Sequence, residues 1–196
     1  MNTSEYIYDG TPRDELLPKS VTRTLRLDED VDAALERMAE EAGESVNVIA
    51  GRALRKLVEW DRIAAKAGLV VISPITLGKL MDSQTLEQAR ALGESIGNEV
   101  LKSIMISIYG EVSMSSALET IKLMSRYMSR FEFHYATEGS TRVLTVRHTQ
   151  GIKWSAFYLG IADSLLGETL GLDFKSNMTE ELASMEFDMP RKAGEP

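Results

Sequence analysis

The 196 residues (21.8 kDa) contain 43% hydrophobic residues, enough for a buried core, but no cysteine and only two histidines. Disulfides, thiol chemistry and cysteine-based metal sites are therefore excluded, and a histidine metal site would have to borrow several carboxylates. The net charge of −8 and pI near 4.9 argue at first against nucleic acid, and no apolar run approaches the ~20 residues that span a bilayer.

In chain order, residues 1–20 are polar, carry Gly10, Pro12 and Pro18, and show no periodicity; they read as a flexible arm. The acidic start fits neither a signal nor a transit peptide, so a soluble cytoplasmic protein is expected. Residues 21–27 (VTRTLRL) are β-branched and alternate, which predicts a short strand with Leu25 and Leu27 on one face and Thr22, Thr24 and Arg26 on the other. Asp28 is a good N-cap for a helix with Val31, Leu35, Met38, Ala39 and Ala42 on one stripe, ended by Gly43. Ser45 caps a second helix to about Ala67, with its stripe on Ile49, Ala53, Leu57, Trp60, Ala64 and Ala67.

Residues 69–76 read as an extended connector broken by Pro74. Residues 77–109 are largely helical, with breaks expected near Ser83 and at Gly93 or Gly97. Ser116 and Glu119 suggest a capping box before a helix ending near Met128. Residues 131–136 and 141–148 form a hairpin through a Glu138–Gly139 loop, which sets Phe133 against Leu144 and His134 against Val143. His134 and His148 then lie on opposite faces and cannot share a metal. A long helix over 152–170 stops at Gly171, and short strands follow near 172–176 and 185–188. Residues 190–196 are a tail.

Charge is segregated along the chain. Residues 13–27 carry four bases and two acids; 28–44 carry eight acids and one base; 45–68 carry five bases and two acids. Two basic segments flank an acidic one, so a polyanion can be bound if the basic pair shares a surface. A lone strand followed by two helices leaves backbone groups unpaired on both edges, and a second copy is the simplest remedy. A narrow two-stranded ribbon with outward Thr22, Thr24 and Arg26 suits the major groove, and the free N–H groups after Ser45 suit a phosphate.

Residues 21–60, with the strand ending Arg-Leu-Asp, the Val-x3-Leu-x2-Met-Ala helix, the Gly-x-Ser turn and the Ala-Leu-x2-Leu stripe, resemble a ribbon-helix-helix DNA-binding domain. The resemblance covers about 45 residues and implies a β-α-α fold in an intertwined homodimer that binds double-stranded operator DNA as a transcriptional regulator. It implies base reading by Thr22, Thr24 and Arg26 and phosphate anchoring at Ser45, Val46 and Asn47, to which the basic Lys19 adds a contact. Arg23 departs from the pattern, standing where an apolar residue is usual. The domains expected are 21–68 for DNA binding, 69–76 as linker, and 77–189 as an α+β domain with a small antiparallel sheet and long helices.

In that second domain, RHTQGIKWSAF (147–157) is the most distinctive run. His148, Gly151, Lys153 and Trp154 meet at a strand-to-helix junction whose free N–H groups suit a small anion, beside Arg147. No nucleophile elbow, phosphate loop or metalloprotease motif is present, so neither catalysis nor a cofactor is expected. The function expected is DNA-binding regulation, with the C-terminal domain sensing a small-molecule effector or mediating higher assembly. The alternatives are an antitoxin-type autoregulator whose C-terminus grips a partner protein, and a small α+β ligand-binding protein or enzyme with a dimerising N-terminus.

Overall fold

The structure is a computed structural model that describes residues 21–128 and 130–188. The expected arm (1–20), Lys19 with it, and the tail (190–196) lie outside the described residues. By backbone contacts the chain divides into two units between Arg55 and Lys56.

The first unit corrects the expected β-α-α opening. Residues 21–28 form no strand, and the first regular element among the described residues is helix α1, Glu29–Ala42. The physical reason is the one that made a lone strand problematic: alternation assigns faces but supplies no hydrogen-bond partner, and among the described residues no backbone offers one. Asp28 does stand at the N-cap in extended conformation, with Glu29, Asp30 and Asp32 in the first turn where the macrodipole favours acids. Gly43 ends α1 in the left-handed region (φ 65), its N–H donating to the Glu40 carbonyl and that of Glu44 to the Ala39 carbonyl. Helix α2, Val46–Lys56, follows. Only Ala39 is buried in these two helices.

The second unit opens with a π-helical segment, Leu57–Asp61, then α3 (Arg62–Lys66). Gly68 (φ 68) turns the chain out, and residues 69–73 carry no regular structure. The helix expected after residue 76 starts earlier, as α4 (Pro74–Asp82): Ser73 caps it by accepting from the Thr76 N–H, and proline is well suited to the first helical position. Helix α5 (Leu86–Ile96) begins with a capping box in which the Thr85 side chain accepts from Gln88 N–H and Gln88 returns the bond. A π-helical segment, Gly97–Leu101, and α6 (Lys102–Tyr109) continue it. The next helix, α7 (Met114–Met128), is capped three residues before the expected site, because Ser113 and Ser116 exchange side-chain bonds at 2.8 and 3.2 Å.

Strands β1 (Glu132–Glu138) and β2 (Thr141–Arg147) form the hairpin, but the loop is Gly139–Ser140, and the register moves by two. Phe133 faces Val146, Tyr135 faces Leu144, and His134 faces Thr145. The first loop residue adopts φ 62, a conformation open to glycine and strained for the glutamate expected there. A shift of two preserves the faces, so Phe133, Leu144 and Val146 still point to the core. Helix α8 (Ile152–Ala162) runs into a π-helical segment, Asp163–Thr169, and β3 (Phe174–Met178) and β4 (Leu182–Asp188) complete a four-stranded antiparallel sheet of order β1-β2-β4-β3.

One face of the sheet supplies Phe133, Leu144, Val146, Ala183, Met185 and Phe187 to a core shared with Trp154, Leu159 and Leu166. A second cluster joins Leu101, Ile104, Met105, Ala117 and Leu165. Helices α5 and α8 cross in close backbone contact, because Ala89, Gly93 and Gly97 repeat every fourth residue on one helix and Ala156, Gly160 and Ser164 on the other. A Cβ on Gly93 would lie 2.0 Å from the Phe157 carbonyl oxygen, and one on Gly160 would lie 1.9 Å from that of Arg90. The Arg90 guanidinium closes the crossing with two hydrogen bonds to Asp163, at 2.6 and 2.9 Å. Among the described residues, no helix is long and apolar enough to cross a membrane.

Candidate functional site

Two groups of residues were singled out by sequence, one in each unit. In the first unit, Thr22, Thr24 and Arg26 are all exposed, and none has a side-chain partner among the described residues. Ser45 precedes α2 and accepts weakly from the Val48 N–H at 3.4 Å, while the N–H groups of Val46 and Asn47 make no internal bond among the described residues. Arg52 is held by Glu44 in an ion pair. Leu25, Leu27, Val31, Met38, Val48 and Leu54 are 43–62% exposed, so this unit leaves its apolar stripes bare.

In the second unit the structure brings together His148, Gly151, Lys153 and Trp154 at the β2–α8 corner. Gly151 takes φ 89 and precedes the first helical residue, a backbone geometry glycine alone tolerates well. The Ile152 N–H at the helix start donates to the Glu180 carboxylate at 2.8 Å, and the Lys153 ammonium donates to the Asp82 carbonyl at 2.7 Å. The negative charge expected at this helix end is thus supplied by the chain's own Glu180, from the β3–β4 turn. Trp154 is buried and packs edge-on to Phe157.

His148 lies at the centre of a network that sequence reasoning did not find. Its Nδ1 accepts from the Gln150 N–H at 3.2 Å, which puts the ring proton on Nε2. Nε2–H then donates to the Ser155 hydroxyl at 2.9 Å, and Ser155 donates onward to the Thr179 carbonyl at 2.5 Å. In this tautomer His148 has no lone pair facing Ser155, so the pair is not arranged as base and nucleophile. Gln150 continues the network: its Nε2 donates to the Arg130 carbonyl (2.6 Å) and the Tyr158 hydroxyl (3.2 Å), and its Oε1 accepts from the Arg130 guanidinium (2.8 Å). Tyr158 packs against His148, Phe131, Trp154 and Phe157, and burial pushes its phenol up to about 12. The local signal for this network was the His-x-Gln and His-x6-Ser spacing, but Arg130 and Thr179 are too distant along the chain to be inferred.

Burial also lowers the His148 imidazole below its ordinary 6.5, against an opposing effect of Glu181. The folded protein therefore favours neutral His148, while the unfolded chain takes up a proton below about 6.5. Stability is accordingly full above that pH and falls as the medium is acidified through it. Protonation would also turn Nδ1–H toward the Gln150 N–H, donor against donor. Urea midpoints measured from pH 7.5 to 5 are expected to decline, and the decline is expected to be shallower in His148→Gln. An equal slope in the two proteins would contradict this.

Elsewhere in the unit, Trp60 stacks on Tyr127 with centroids 6.0 Å apart, and Glu59 accepts from the Tyr127 hydroxyl at 2.6 Å and from Arg126 at 3.0 Å. A groove of about 340 Å³ is floored by Ile63, Val100 and Ile104 and rimmed by Lys66, Glu99 and Ser103. Among the described residues, no three His, Asp or Glu side chains gather closely enough to hold a metal ion. No family model matches the chain, and no curated protein matches it in sequence.

Proposed function

We propose that this protein is a sequence-specific DNA-binding regulator that acts as a homodimer, with the C-terminal unit serving sensing or assembly. The observation that carries the reading is residues 21–27: Thr22, Thr24 and Arg26 are exposed and uncommitted among the described residues, on a segment without regular structure. Arginine suits guanine O6 and N7, and threonine reaches either base type in the major groove. Val46 and Asn47 at the α2 start suit a phosphate. The eight acids of residues 28–44 sit mainly on α1, which in this reading faces away from DNA.

The exposed apolar stripes of α1 and α2 support self-association. Among the described residues of this unit, 21–55, only Ala39 is buried, which does little to offset conformational entropy, and a second copy covering Val31, Met38, Val48 and Leu54 would add apolar burial. The packed sheet-and-helix core of the second unit supports a folded sensing or assembly module.

The test is selection of bound sequences from random duplex DNA, followed by titration of the selected site. Arg26→Ala is expected to weaken binding by about 1–3 kcal/mol for each base contact and to relax preference at that position. Affinity should fall steeply with salt as phosphate contacts release counterions. Wild-type affinity and preference in Arg26→Ala, or no duplex binding at low salt, would remove the reading.

A further inference from the structure

We propose that residues 69–73 are a self-association segment, which pairs antiparallel with the same residues of a second copy about a twofold axis at Val71. Gly68 turns the chain out of α3, and Ser73 with Pro74 starts α4, so the five residues between are bounded at both ends by conformation. Three are β-branched (Val70, Val71, Ile72), the type that fits strands. Leu69 N–H reaches back to Ala64, and the Ser73 carbonyl accepts from Leu77. The backbone groups of Val70, Val71 and Ile72 make no backbone bond among the described residues.

Their side chains are exposed, Val70 at 85%, Val71 at 103% and Ile72 at 43%, with Ile75 beyond the proline at 75%. Proteins ordinarily blunt such a segment with a charge, yet residues 67–78 contain none. An uncharged run gives a charged partner nothing to recognise. It does complement itself: about Val71, Val70 falls opposite Ile72 and Leu69 opposite Ser73, apolar pairs at the centre and no like charges anywhere. Contrast the outer strand β1, where self-pairing about Tyr135 would set Glu132 against Glu138. Twofold pairing at 69–73 closes on itself and stops at two copies. None of these residues belongs to the segment proposed to read DNA, so this contact stands or falls separately.

The absence of native cysteine gives a clean test on the full chain. Opposed strand residues have Cα atoms ~4.5–5.5 Å apart, within the ~4.4–6.8 Å a disulfide spans. Under a mild oxidant, Val71→Cys is expected to form covalent dimer at least about tenfold faster than the exposed control Glu119→Cys, because pairing raises the local thiol concentration. Val70→Cys alone should be slow, whereas a mixture of Val70→Cys and Ile72→Cys should yield the mixed dimer. Val71→Lys should weaken self-association in sedimentation while its circular dichroism is unchanged. Crosslinking of Val71→Cys at the control rate, or of Val70→Cys alone as fast as Val71→Cys, would overturn the pairing. Mobility shifts of the same variants on the selected DNA report separately on the DNA-binding reading.

Discussion

Gly160→Ala is expected to destabilise the protein by about 3–5 kcal/mol, at the upper end of what a single added methyl does. In an ordinary helix the same change is favourable by ~1 kcal/mol, because alanine loses less backbone entropy. The sign reverses here because the new Cβ would lie 1.9 Å from the Arg90 carbonyl oxygen and 2.9 Å from the Glu94 nitrogen. Both are backbone atoms in a formed helix, so no rotamer change relieves the clash. The helices must move apart, which opens gaps beside Ala89 and Ala156 and stretches the Arg90–Asp163 pair. Gly78→Ala in α4 is the matched control: nothing lies within 4 Å of its Cβ position, and a gain of ~0.5–1 kcal/mol is expected. Urea unfolding of both variants with unchanged m-values checks the pair. Equal effects would mean the crossing is looser than described.

Ser155→Ala is expected to cost about 2–4 kcal/mol, far more than removal of one surface hydroxyl. The hydroxyl is fully buried and both accepts from His148 Nε2–H and donates to the Thr179 carbonyl. Its removal leaves the buried His148 Nε2–H without its acceptor and takes from the Thr179 carbonyl the hydroxyl that donates to it. Ser164→Ala supplies the opposite sign. That hydroxyl is equally buried, but its oxygen has no partner among the described residues, so its loss should be neutral or stabilising. A cycle with His148→Gln would show the coupling: if the two serines behave alike, the His148 network does not hold the corner. Hydrogen exchange at the Gln150 amide, which is bonded to the imidazole, should accelerate in Ser155→Ala alone.

The two groups of candidate residues were legible to different depths. His148, Gly151, Lys153 and Trp154 lie within seven positions, so a strand followed by a helix brings them together whatever the rest of the fold does. Their partners were not legible. Glu180 and Asp82 reach the helix start from 28 and 71 positions away, and no local pattern announces such a meeting. Sequence also indicated a helix end open to an anion, but whether such an end is open depends on which carboxylate the tertiary fold delivers to it.

By itself the sequence determined what depends on neighbours along the chain. These are the helix periodicities, the Gly43 and Gly171 stops, the alternation that keeps Phe133, Leu144 and Val146 on one side, and the separation of charge between residues 28–44 and 45–68. Tertiary structure alone decided the β1-β2-β4-β3 order and the glycine crossing of α5 with α8. It also decided whether residues 21–27 become a strand, and they do not. Helical bonds close within four residues and need only a local pattern. A strand's bonds, like a backbone-to-backbone crossing, need a second segment whose position no local spacing specifies.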